Sequence, residues 1–298
     1  MRRVSILFLL VCECSLMPLF AQPAKATEVA PDLVSTGRDL SLVLTANGQI
    51  AYFSRLGEDM DWDLYSAHHS EGGWSDPSEL AFSSPHMDAD PFLSPDGERL
   101  YFMSARPRTP GGEPPKLPDI WYVEKEGNEW GPPRLADDIS LPDYGEGFSS
   151  ISSDGTIVFS TDRPNPGMEH DIFFATWNGR GFDEPSPLPV PIKTTFSNPF
   201  IAPDMEYLIV ESDAYGAEGE ADLFILFRMD GDWSGPIDLG PAVNTDQVEG
   251  TPFVTSDGKH LFFCRMHPSR DRFESRIYQI PFQPILKEAR QRIKRSNK

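Results

Sequence analysis

Short runs in which apolar residues alternate with small or polar ones come in pairs along this chain, each pair joined by a turn. The run Pro91-Phe92-Leu93-Ser94-Pro95-Asp96-Gly97-Glu98-Arg99-Leu100-Tyr101-Phe102-Met103-Ser104 shows the grammar. Proline presets φ for the first turn position and glycine accepts the positive φ that closes the turn, so the segment predicts a β-hairpin. The same arrangement is centred on Asn47-Gly48, Asp154-Gly155, Asp204-Met205 and Asp257-Gly258. From 47 to 96, 154, 204 and 257 the turns stand 49, 58, 50 and 53 residues apart. A period near fifty built of short strands implies one supersecondary unit repeated, each unable to bury its apolar face alone. No long window before residue 284 has helical periodicity.

A third strand is predicted to begin at Asp63-Leu64-Tyr65, Asp119-Ile120-Trp121, Asp171-Ile172-Phe173 and Asp222-Leu223-Phe224, and a fourth at Trp74, Trp130, Phe182 and Trp233. The interval from that Asp to that aromatic is 11 residues in all four repeats, which implies a tight hairpin of fixed register. From the turn to the same Asp the intervals are 16, 23, 17 and 18, so this connection is a loop free to grow. Pro77, Pro133, Pro185 and Pro236 each follow the aromatic at the third position. Proline cannot donate to a ladder, which puts the fourth strand at a sheet edge. Four antiparallel strands repeated radially make a β-propeller. Five turns predict five blades, with six as the alternative; a sandwich or barrel requires no such repeat.

The Ser-Pro-Asp-Gly-x-x-Leu-Tyr-Phe, Asp-Ile-Trp and Trp-x-x-Pro signatures resemble the WD-repeat-like repeats of TolB-type propellers, over roughly residues 39 to 282. The resemblance implies an exported bacterial protein that binds other macromolecules. Met205, where glycine is expected, and Ser275, in place of the third-strand Asp, depart from the pattern.

The ends of the chain refine the picture. Arg2 and Arg3 precede apolar runs from Val4 to Val11 and from Leu16 to Phe20, and Ala24-Lys25-Ala26 is a small-x-small cleavage pattern, with Ala21 a second candidate site. Residues 1–26 are thus expected to be a signal peptide, 27–286 a single propeller domain and 287–298 a basic tail. Cleavage after Ala26 would remove Cys12 and Cys14 and leave Cys264, expected to be a buried inert thiol in an apolar strand. No segment outside the signal approaches the roughly 20 apolar residues of a membrane span. Formal net charge is −20 and becomes −22 without residues 1–26, which hold three basic residues and one acidic. The tail holds six basic residues and one acidic, so the body between carries about −27. Such a body repels nucleic acid and anionic membranes.

Motifs for nucleotide binding, zinc proteolysis and serine hydrolysis are absent from the sequence. Asp59, Asp61 and Asp63 have the opening spacing of a calcium loop without its glycine and distant glutamate, and His68, His69 and His86 have no third ligand nearby. No metal or cofactor is expected.

One constellation recurs. Eight residues before the turn stand Asp39, Asp88, Glu146 and Glu249, with Phe196 in the fourth repeat. Just after the second strand come Arg55, Arg106, Arg163 and Arg265. With the third-strand Asp residues these form charged rings around one mouth of the central channel. Each Arg either pairs with an acid and ties down a loop, or leaves a polar binding face. Repeat two adds an insertion, Arg108 to Pro118, on this face.

Two functions follow as expectations. The first is a non-enzymatic binding protein of the periplasm or exterior, a monomer that recognises a protein or polysaccharide through this face. The second is a carbohydrate-active enzyme, which would need two carboxyls about 5 to 10 Å apart, one with a raised pKa and neither paired to Arg. Repeat five lacks a fourth strand, and Val29 to Ser35 is expected to supply it.

Overall fold

The computed structural model describes residues 25–164, 171–190, 195–213, 221–267 and 273–296. The expected signal residues 1–24, with Cys12 and Cys14, lie outside them. Five antiparallel sheets form five blades in chain order, a β-propeller. Their inner strands are Asp39–Leu44, Asp88–Leu93, Glu146–Ile151, Ser197–Ile201 and Val248–Val254. Each pairs with the strand after its turn, and that strand with the third, as the repeat predicted.

The outer strands are broken. Gly73–Trp74 and Ser78–Glu79 both pair with Trp62–Ser70, Pro77 lying between them. The second blade repeats this with Glu129–Trp130 and Arg134–Leu135, the fourth with Asp232–Trp233 and Ile237–Asp238. Proline interrupts the ladder where it cannot donate.

The last blade is closed from the N-terminus, but not by the expected segment. Thr27–Glu28 pairs with Ser275–Pro281, and the Val29 N–H donates to the Ile277 carbonyl at 2.9 Å. Ala30 and Asp32 then adopt positive φ, so residues 30–35 turn back as a plug rather than extend. Val34 and Ser35 are fully buried in that plug. Ser35 Oγ accepts from the Ile277 N–H at 3.0 Å, which spends the donor a longer strand would have used.

The basic tail is part of helix α1, Phe282–Ser296, which begins inside the span assigned to the propeller. Phe282, Ile285, Leu286 and Ala289 bury its apolar stripe. Arg290 pairs with Glu206 at 2.6 Å and the Arg292 guanidinium lies 3.7 Å from Asp238, so the tail docks on the fourth blade of its own acidic body.

Candidate functional site at the channel mouth

All four expected Arg–acid pairs form. Arg55 meets Asp39 at 2.6 Å, Arg106 meets Asp88 at 2.8 Å, and Arg163–Glu146 and Arg265–Glu249 each close at 2.9 Å. Each guanidinium also donates to a carbonyl of the loop entering its blade, at Leu33, Phe82, Ile139 or Val243. Each lies 4.7 to 5.7 Å from two ring centroids, those of Phe53 and Tyr65, Phe102 and Trp121, Phe159 and Phe173, or Phe263 and Tyr278. Backbone N–H groups of Thr36, Leu141 and Thr245 occupy the other carboxylate oxygens of Asp39, Glu146 and Glu249, and the Ser84 N–H shares Asp88 Oδ2 with Arg106. The four acids keep no exposed side-chain surface. Burial lifts Glu146 to about 7 against the opposing pull of Arg163, and lifts Glu249 as well.

Of the two readings of these eight residues, the geometry shows the pairing: each acid is sealed under its own arginine, and the arrangement pins each entering loop to the blade that follows. Among the described residues blade four has no such pin. Phe196 replaces the acid, Val210 stands where the other blades have Phe, and residues 211–221 contain no Arg.

The third-strand acids behave differently from one another. Asp119 receives Arg108, the first residue of the insertion, whose Nε donates to Oδ2 at 3.0 Å. Asp63 is raised to about 6 by partial burial and by the charges of Glu79, Asp59, Asp88 and Asp61. Asp171 and Asp222 are buried.

Sequence reasoning missed the residues that line the channel itself. Two positions after the ring acids, or after Phe196, stand Ser41, Asp90, Phe148, Asn198 and Thr251. All five adopt left-handed φ, at 57°, 53°, 48°, 49° and 47°. Each sits at a register shift in its inner strand, so the bulge turns it out of the ladder toward the axis. The strain, greatest for β-branched Thr251, is held by neighbours. The Asp90 N–H donates to Ser54 Oγ at 2.9 Å and the Asn198 N–H to Ser160 Oγ at 3.1 Å. The constant offset of two is the signal that could have revealed this ring.

Ser54, Met103, Ser160, Glu211 and Cys264 occupy equivalent places on the second strands. The two long members each face a glycine of the next blade, Met103 facing Gly147 and Glu211 facing Gly250. A Cβ on Gly250 would stand 2.5 Å from Glu211 Oε2, so the glycine makes room for the carboxylate. Cys264 is buried and its thiol is pushed up to about 12 by that burial, which makes it the inert group expected.

The mouth is a cavity of about 40 Å³ lined by Ser41, Asp90, Phe148, Asn198 and Thr251. Phe92, Phe200 and Phe253 plug its floor, with ring centroids 6.0 to 6.4 Å apart. Ser41 Oγ donates to Asp90, and the Asn198 amide donates to Glu211. Burial pushes Asp90 up to about 7 against the Ser41 hydroxyl. It pushes Glu211 to about 7 against the Asn198 amide, with the charges of Asp90 and Asp213 adding to the rise. Among the described residues neither carboxylate has an ion-pair partner.

No family model matches the chain, and no curated protein matches its sequence. Solved structures do match. A TolB-like protein of Agrobacterium tumefaciens aligns with TM-score 0.51 and 14% identity, over 81% of this chain and 76% of that one. The catalytic domain of a Coprinopsis cinerea GH62 α-L-arabinofuranosidase aligns with TM-score 0.54 and 10% identity, over 88% and 98%. A Bacteroides ovatus GH43B protein aligns with TM-score 0.51 and 14% identity, over 86% and 54%. The fold is therefore a five-bladed β-propeller, similar to that of a TolB-like protein and of glycosidases.

Proposed function

We propose that this chain is an exported, non-enzymatic propeller that binds a protein partner through the face carrying its variable loops. One observation carries the reading. Among the described residues the exposed large hydrophobic side chains are Met60, Leu117, Leu141 and Met229, and the first three stand on loops of this one face. Met60 lies between the second and third strands of blade one, Leu117 in the insertion of blade two, and Leu141 in the loop entering blade three. Apolar tips on loops that are pinned from below make preorganised contacts, and the carboxylates around Asp59 and Asp61 suit a basic partner. No described helix is long and apolar enough to cross a membrane. Export rests on the sequence pattern of residues 1–26.

The second reading, a carbohydrate-active enzyme that takes polysaccharide, draws on Asp90 and Glu211, two carboxylates raised without Arg. The volume speaks against it. Ligand pockets hold about 300–1,000 Å³, and the cavity beside Asp90 holds about 40 Å³, too little for a sugar ring. The test is capture from envelope extract by the chain, repeated with Met60→Asp and Leu117→Asp, folding checked by circular dichroism. The same partner should be retained by the parent and lost by both variants. Retention by both, or hydrolysis of aryl glycosides that Asp90→Asn abolishes, would overturn the reading.

A further inference from the structure

We propose that the channel mouth receives a lysine side chain of the partner, its ammonium group on the Asp90 carboxylate and its methylene stem along the apolar wall. The inference rests on the reading of this face as a partner site, and it names the chemistry that the partner brings.

The carboxylate comes first. Asp90 lines the cavity, and Ser41 Oγ donates to its Oδ1. Its Oδ2 bonds no described residue and stays accessible, whereas Asn198 Oδ1 is sealed away. One charged acceptor therefore stands open to the cavity. Ser41, Phe148, Asn198 and Thr251, which line the cavity from the other inner strands, carry no charge. A buried carboxylate without a cation is destabilising, and a cation supplied from outside removes that penalty. The fold has already stripped most water from Asp90, so a partner meets it without desolvating it again.

The rest of the wall is apolar. Phe92, Phe148 and Phe253 line it together with Pro91, Pro199 and Pro252. A metal ion would find one carboxylate there and too few further oxygens to complete its coordination. A cation that arrives on a hydrocarbon stem fits better, because the stem lies against the apolar wall while the charged tip reaches the acid. Aromatic rings add their own attraction for a cation held out of water.

Size and valence choose the residue. A volume of about 40 Å³ admits one small group, about that of a water or two. A guanidinium is a planar fork that pairs best with two oxygens side by side, and one oxygen is open here. An α-amine would bring its backbone into the same small space. Lysine carries a compact point charge at the end of four methylenes, so the tip enters and the stem leads out past the rim. The mouth opens on the face that carries Met60, Leu117 and Leu141, which places all of these within one partner footprint. The acidic body draws a basic partner toward it.

Nα-acetyl-lysine N-methylamide is titrated into the chain and followed through the backbone amide signals of Asp90, Asn198 and Thr251 by nuclear magnetic resonance. The shifts should saturate. The norleucine analogue, which keeps the stem without the charge, and the Nε-acetyl-lysine and arginine analogues should each bind at least about tenfold more weakly. Asp90→Asn should fold and lose about tenfold as well. A proton competes with the ammonium for Asp90, which burial raises to about 7, so affinity should fall about tenfold from about pH 8 to about pH 6. Glu211 feels the Asp90 charge and titrates in the same range, so Glu211→Gln is the control and should keep the pH dependence. Asp59→Asn with Asp61→Asn should change nothing. A parent with no saturable shift, equal binding of the norleucine analogue, full affinity in Asp90→Asn, loss of the pH dependence in Glu211→Gln, or loss of binding on changing Asp59 and Asp61 would overturn the site. Arginine binding as tightly as lysine would overturn the choice of residue. The probe needs no partner, so its failure sinks the lysine site and leaves the loop-face reading to the capture experiment with Met60→Asp and Leu117→Asp.

Discussion

Arg106→Met tests whether the repeated pins hold this propeller together. The Arg106 side chain is 11% exposed and Asp88 is sealed beneath it, with both carboxylate oxygens within 2.9 Å of Nη2. Methionine keeps much of the packing between Phe102 and Trp121 but leaves Asp88 charged and buried. Removing one partner of such a pair costs about 3–5 kcal/mol. The bond to the Phe82 carbonyl, 3.3 Å in the parent, goes with it and adds to the loss. In a domain of this size about 1 kcal/mol moves Tm by 2–4 °C, so the variant should melt about 6–20 °C lower. Replacing both partners, Asp88→Leu with Arg106→Met, removes the stranded charge and should recover most of the stability. The assay is calorimetric unfolding of the parent, both single variants and the double variant, closed as a double-mutant cycle. If the ring served a ligand rather than the fold, Arg106→Met would cost under about 1 kcal/mol and the two changes would add. That outcome would refute the pin.

Two further predictions follow from burial. Asp90 is raised from 3.8 to about 7, so its ionised form is penalised in the folded state and its cost grows as pH rises from about 4 to 7. Asp90→Asn should match the parent near pH 4 and exceed it above pH 7 by up to about 4 kcal/mol; an offset independent of pH would contradict the burial argument. A chain beginning at Asp39 loses the Thr27–Glu28 strand, buried Val29 and Val34, and the Arg55 bond to the Leu33 carbonyl. The two valines alone represent about 3–6 kcal/mol as an upper figure, so its Tm should fall by more than 5 °C, and an unchanged Tm would show that the last blade closes without this segment.

The sequence alone determined the blades, because a blade is a local object. Its hairpins are built from neighbours in the chain, and Asp-Gly turns, 11-residue intervals and edge prolines write that geometry at constant offsets. It also placed each Arg near its acid, since the two lie on adjacent strands of one hairpin. Whether those residues faced a ligand or one another was not legible, because burial depends on the loop and aromatic rings that close over them. The closing strand was expected from the right end of the chain and a few residues too late, since positive φ at Ala30 and Asp32 carries no mark in residue type. The channel mouth was decided by tertiary structure alone. Ser41, Asp90, Phe148, Asn198 and Thr251 are unlike one another and come from five repeats, and a bulge rather than strand alternation turns them inward. Glu211 means little beside its own neighbours in sequence; its place is set by Gly250, which yields space to it, and by Asn198, which reaches it from across the blade.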